Sequence, residues 1–275
     1  MIGMLTAVLK NITALFQRVS AGCVKHPAWC LAVLFVLSLG VKVAVWCCDP
    51  MIGRDASEYL HTTKEWAESG VMPQSWIPPM LFCLIRIGMF FGLDPEMAGV
   101  GINLLLGALI TPVGCGIAYE ITRHKKIALI TAVFLLVHPG INALSHEVQR
   151  DVPYLFFAGI TTWTAAAGLK RKKYFLWAIS GAFAALAFMT RYETVELFPL
   201  VFAALLVCAA THFIKWKQAA FYAAIFIAAS GLSALAFIHF SGSKNMYERY
   251  SKYYRGKYHK VEQQFTPTVS AKKAK

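Results

Sequence analysis

Two kinds of charged residue in this chain have the type and placement to handle protons and anions at a membrane surface. Asp55 and Glu58 lie in the short segment Gly53-Arg54-Asp55-Ala56-Ser57-Glu58-Tyr59, directly after the first long apolar run. A carboxylate accepts a proton from any group brought within hydrogen-bond reach of it. Arg150 and Arg191 stand near the ends of later apolar runs. A guanidinium presents a planar fork of donors that fits a phosphate or a carboxylate. Glu147, Asp151, Tyr192 and Glu193 are their immediate neighbours in sequence.

Each of these residues also has a plain structural reading. Asp55-x-x-Glu58 has the form of a capping box, with Asp55 as N-cap and Glu58 at the third helical position. Arg150 can pair with Glu147 three residues earlier, and Asp151 before Val152-Pro153 is a natural N-cap for the run that follows. Arg191 with Glu193 would be an exposed ion pair of small worth. Lys42 near the outer end of the first run is expected to snorkel to the surface, and His138 and His146 to be satisfied interface residues.

The elements that carry these residues are membrane helices. The chain has 275 residues, of which 57% are hydrophobic and 15% charged, too apolar for a soluble domain of this size. Apolar runs at Trp29–Trp46, Met97–Tyr119, Ile127–Ala143, Val152–Leu169, Tyr174–Met189, Val195–Phe213 and Ala219–Phe240 are each near the roughly 20 residues that cross a bilayer as a helix. The expectation is an all-α polytopic protein of about seven spans. Pro79–Leu93 is short and holds Arg86, which fits a re-entrant or interfacial helix. Between it and the first span, Ala56, Leu60, Thr63 and Ala67 share a stripe flanked by Tyr59 and Trp66, which predicts an amphipathic helix on the membrane surface. Gly70 and Pro73 end it, and Pro78-Pro79 redirects the chain.

Basic clusters orient the bundle. Lys10, Arg18 and Lys25, then Arg123 to Lys126, Lys170 to Lys173, and Lys215 with Lys217 mark the cytoplasmic side. The loops holding Asp55, Glu58, Glu147, Asp151 and Glu193 are then outside. The domain reading is a cytoplasmic amphipathic helix over 1–27, a transmembrane domain over 28–240 with an external loop at 47–96, and a basic tail over 241–275. That tail disagrees in sign with the outside position that seven spans assign it. The net charge of +13 matches anionic lipid headgroups, and no nucleic-acid motif accompanies it. The seven cysteines show no metal-ligand spacing.

The stretch Asp55-Ala-Ser-Glu58-Tyr59, then Glu68-Ser69-Gly70 and Pro78-Pro79, resembles the first external loop of the GT-C glycosyltransferases that use polyprenyl-phosphate sugars. The branch it is most similar to holds protein mannosyltransferases and aminoarabinose transferases. Asn103-Leu-Leu-Leu-Gly107, Ser145-His-Glu-Val-Gln-Arg150-Asp151 and Arg191-Tyr192-Glu193 extend the likeness over residues 29 to 215. Ala56 stands where that family commonly has an acid, and Ile77 where it has a Tyr before Pro-Pro.

The resemblance implies sugar transfer from a polyprenyl-phosphate donor to an extracytoplasmic glycan, lipid or protein acceptor, in a plasma or inner membrane. It implies Asp55 as general base and Arg191 with Arg150 at the donor phosphate. Glu58, Tyr59, Glu147, Asp151, Tyr192 and Glu193 would contact substrate. A divalent metal on Asp55 and Glu58 is compatible with oxygen ligands but not required. A partner membrane protein that supplies acceptor recognition is compatible with this reading; the competing expectation is a non-catalytic GT-C-like lipid-binding or transport component that uses the same cavity. Asp55 discriminates the two, because an enzyme needs its carboxylate and a carrier does not.

Overall fold

The computed structural model describes residues 27–49, 53–72 and 77–241, together with 251 and 255. The segment 1–27 and the tail 241–275 therefore lie almost wholly outside the described residues. The elements run α1 (Pro27–Cys48), α2 (Arg54–Ser69), α3 (Met80–Phe90), α4 (Pro95–Thr122), α5 (Lys125–Val137), α6 (Pro139–His146), α7 (Asp151–Arg171), α8 (Tyr174–Thr190), a 3-10 turn at Tyr192–Glu196, α9 (Leu197–Ala210) and α10 (Trp216–Ser241).

Among the described residues, five elements are long and apolar enough to cross a membrane: α1, α4, α7, Tyr192–Ala210 and α10. A sixth span exists if the bent pair α5 and α6 is counted as one. The expected seventh, α8, has 17 residues and falls short of the others in length. It nonetheless joins the two ends of the bundle, because Lys170 to Lys173 precede it and Arg191 at its far end pairs with Asp151 at the start of α7. α3 has 11 residues, too few to span, as its sequence predicts.

The run Ile127–Ala143 is not one straight span. It breaks at His138, and α5 and α6 meet at 52°. Pro139 is the reason: it has no N–H, and it drives the preceding residue into the extended conformation seen at His138 (φ −65, ψ 115). His138 Nδ1 accepts the Ile141 N–H at 3.2 Å, so the imidazole caps the second half.

α4 is the central helix, flanked by α1, α3, α5 and α7. Close approach is bought with small residues, as membrane helices require. A Cβ on Gly107 would fall 2.3 Å from Ser145 Oγ, and one on Gly181 would fall 2.3 Å from the Phe226 carbonyl oxygen. The C-terminal end of α4 is closed by buried Glu120, which pairs with Arg123 at 2.9 Å and with Arg171. From Asn103 to Glu120 the helical rise is about 25 Å, close to the thickness of a hydrocarbon core.

α2 forms the predicted amphipathic helix, with its buried face rotated slightly. Ala56, Tyr59, Thr62, Thr63 and Trp66 are buried while Ala67 is exposed. Its C-terminus is Gly70 in the left-handed region (φ 70), whose N–H returns to the Trp66 carbonyl at 3.0 Å. Arg86 of α3 donates to that same carbonyl at 3.0 Å, with its guanidinium 4.3 Å from the Trp66 ring centroid. The two surface helices are thus clamped together.

Lys42 does not snorkel. Its side chain is fully buried in the bundle, bonded to Asn142 and Ser38.

Candidate functional site

The site forms where the N-termini of α2 and α7 meet the C-terminus of α8. Gly53 is the N-cap of α2 in extended conformation, with no side-chain cap, so the capping-box assignment of Asp55 does not hold. Asp55 is instead in the first helical turn, exposed, where the partial positive charge of the helix start favours a carboxylate. Gly53 approaches the Glu147 side chain closely, since a Cβ there would come within 2.9 Å of Glu147 Oε2. This contact brings the start of α2 against the loop before α7.

That loop is held from below. Asn103 of α4 donates through Nδ2 to the carbonyls of Glu147 at 2.5 Å and Gln149 at 2.9 Å. The Glu147 carboxylate accepts from the Gln149 amide. Arg150 is the N-cap of α7 and Asp151 its first residue, which corrects the assignment of Asp151 as N-cap. Asp151 pairs with Arg191, and the Arg191 guanidinium also lies 3.7 Å from Glu193 and 5.8 Å from the Tyr154 ring centroid. These three charged side chains are part-buried, so Arg191 is not the exposed local pair that its neighbour Glu193 suggests. A long-range partner from α7 takes precedence.

Tyr59 lies within electrostatic reach of both halves. Burial pushes its phenol above the ordinary value of 10, Arg150 works against the rise, and Asp55, Asp151 and Glu58 add to it. At neutral pH Tyr59 is therefore a neutral hydrogen-bonding group, surrounded by four charges from α2 and α7. Tyr192 lies beneath this surface. It is fully buried against Met80, Phe157 and Met189, with its ring 5.5 Å from Phe188.

From sequence, Arg86 marked only an interfacial helix, Asn103 and Gln149 stood only within motifs with no side-chain role, and Lys42 was expected at the surface. The available signal was a polar residue inside an apolar run, costly in a membrane unless satisfied. A cavity of about 640 Å³ opens beside the clamp, lined by Trp66, Cys83, Arg86, Phe90, Phe237 and Phe240 among others. Arg86 contacts α2 some 11 residues after Asp55, about 16 Å along the helix, so the cavity and the acidic end of α2 are separate. No set of three His, Cys, Asp or Glu among the described residues is arranged to hold a metal ion.

A helical multi-pass bundle with carboxylates and guanidiniums gathered at one end defines an integral membrane protein with a charged site at its surface. The chain belongs to the dolichyl-phosphate-mannose-protein mannosyltransferase family, of GT-C type, whose profile matches residues 77–237, more than half of the chain. The match begins after Asp55, Glu58 and Tyr59. Protein O-mannosyl-transferase 2 of Drosophila melanogaster is 32% identical over 80 residues, covering 26% of this chain and 10% of that protein. The protein of the same name in Drosophila pseudoobscura pseudoobscura is 31% identical over 80 residues, covering 26% and 11%. The aligned stretch spans about a tenth of these curated relatives. No solved structure matches the chain.

Proposed function

We propose that this protein transfers mannose from a dolichyl-phosphate-type donor to a hydroxyl acceptor on the extracytoplasmic side, with Asp55 as general base. Asp55 takes the proton of the acceptor hydroxyl as its oxygen forms the bond to the anomeric carbon. The bond from that carbon to the phosphate oxygen breaks, and its electron pair leaves with the lipid phosphate, so the configuration inverts. Phosphate is a good leaving group and needs no separate acid. Asp151 and Glu193 lie on Arg191, and Asp55, Glu58 and Arg150 act on the same Tyr59, so a phosphate at this end would sit by the guanidiniums of Arg150 and Arg191. Asp151 and Glu193 hold the Arg191 fork in a fixed direction, while Tyr59 and Glu58 border the acceptor. The aromatic cavity beside Arg86 suits a stretch of prenyl chain.

What supports this reading is the convergence of Asp55, Glu58, Arg150, Asp151 and Arg191 in a member of this family, at the end of the bundle opposite the basic loops. Asp55→Asn tests it. The exposed carboxylate makes no cap bond, so its amide should leave α2 intact while removing the proton acceptor. Transfer from dolichyl phosphate mannose in a reconstituted assay should fall by about 10²- to 10⁴-fold with donor binding retained. Near-wild-type transfer by Asp55→Asn would remove Asp55 from the role of base.

A further inference from the structure

Lys42 is six residues before the end of α1, about 9 Å below that end, and its side chain is wholly buried. Among the described residues no carboxylate pairs with it. Its Nζ donates to Asn142 Oδ1 at 2.9 Å and to Ser38 Oγ at 3.3 Å, and Ser38 Oγ is 2.9 Å from Thr111 Oγ1 of α4. Gly107 of α4 closes over the ammonium, since a Cβ there would come within 3.1 Å of Lys42 Cε.

Asn142 uses the other end of its amide on the break in the α5 and α6 pair. Its Nδ2 donates to the Leu136 carbonyl at 3.1 Å. Leu136 is in the last turn of α5, where the helix stops at Val137 and leaves its final carbonyls without helical donors. An ammonium has donors only, so it can face Oδ1 and not the NH₂ of the amide. Lys42 thereby turns Nδ2 toward Leu136, and an apolar residue in its place would leave the amide free to rotate.

We propose that Lys42 is a positioning residue: through Asn142 it locks the broken span, and so holds α6 and the attached loop 147–151 against α2. The link to catalysis rests on the function proposed above; the lock itself does not. Lys42→Met keeps the length and removes the charge, and Asn142→Leu removes the bridge. Both are compared with wild type in lipid nanodiscs by hydrogen exchange, by thermal unfolding, and by transfer from dolichyl phosphate mannose.

Amides of residues 140–151 should exchange about tenfold faster in each variant while those of α8 keep their rates. The thermal midpoint should not fall in Lys42→Met, which removes the buried charge, whereas Asn142→Leu leaves that charge short of an acceptor and should lower it. The double variant should add nothing to either single one, because both act through one bridge. The turnover number should drop with the same non-additivity, with a smaller change in donor KM. Wild-type exchange over 140–151 in both single variants overturns the proposal. So does faster exchange in every helix with a lowered midpoint in Lys42→Met, which would make Lys42 a general stabilising contact. A wild type without transfer counts against the proposed function and leaves the exchange comparison to decide the lock.

Discussion

Arg191 shows how a single residue changes meaning once its partners are known. In sequence its neighbour is Glu193, and the pair looks local. In the fold Asp151, 40 positions away, takes the guanidinium first and Glu193 is 3.7 Å off. An arginine held on two sides by carboxylates is oriented before any ligand arrives, the condition under which a bidentate fork gains most over a point charge. Arg191→Ala should therefore weaken binding of dolichyl phosphate mannose by about tenfold or more, as expected for loss of a charge-assisted contact. Arg191→Lys should recover only part of it, as read by equilibrium binding to the solubilised protein. Unchanged affinity in both variants would restrict Arg191 to pairing with Asp151.

At the scale of elements, α8 is the informative helix. Its 17 residues are fewer than in any of the five long spans, yet it packs tightly against α7 and α10. Ser180 Oγ donates to the Thr161 carbonyl of α7 at 2.9 Å, and Ser230 Oγ of α10 donates to the Gly181 carbonyl at 2.8 Å. Small residues permit this, because with no solvent to exclude, membrane helices gain from close backbone approach and interhelical hydrogen bonds. A side chain at 181 meets the Phe226 backbone, which cannot move aside as a rotamer can. Gly181→Val should cost about 1–3 kcal/mol, seen as a lowered thermal midpoint, without altering which side the loops face. The same scale explains Lys42. A charged side chain inside a spanning helix is costly to insert, so the retention of Lys42 in a fully buried place is best accounted for by the bridge it supports.

The molecule as a whole is polarised. One end gathers Asp55, Glu58, Arg150, Asp151 and Arg191; the other holds Glu120 between Arg123 and Arg171, with Lys170 on the Ile121 carbonyl at 2.7 Å. Thiols introduced at Ser57, Gln149 and Glu196 should react with an impermeant reagent from one side of a sealed membrane, and a thiol at Lys172 from the other. Glu196 is the suitable position after α8 because it is exposed whereas Tyr192 is buried. Cys47 and Cys48 are exposed free thiols and must be replaced first. Labelling of Gln149→Cys from the side opposite Ser57→Cys would separate the two halves of the site.

Sequence by itself determined the class of this protein. Apolar runs of bilayer length with basic residues between them leave few alternatives to a helical multi-pass bundle, since backbone groups in lipid must be satisfied within the segment. The short α3, the amphipathic α2 and its stop at Gly70 were also legible, because each depends on local periodicity or on one residue's backbone preference. The tertiary structure decided everything that depends on which helices are neighbours. It moved Asp55 and Asp151 from caps into first turns, where backbone geometry rather than residue preference sets the boundary. It bent the span at Pro139, brought Asp151 to Arg191, and turned Lys42 inward to Asn142. A hydrogen bond or ion pair between residues 40 or 100 positions apart leaves no trace in local spacing, because it is the packing of the helices that sets the distance between them.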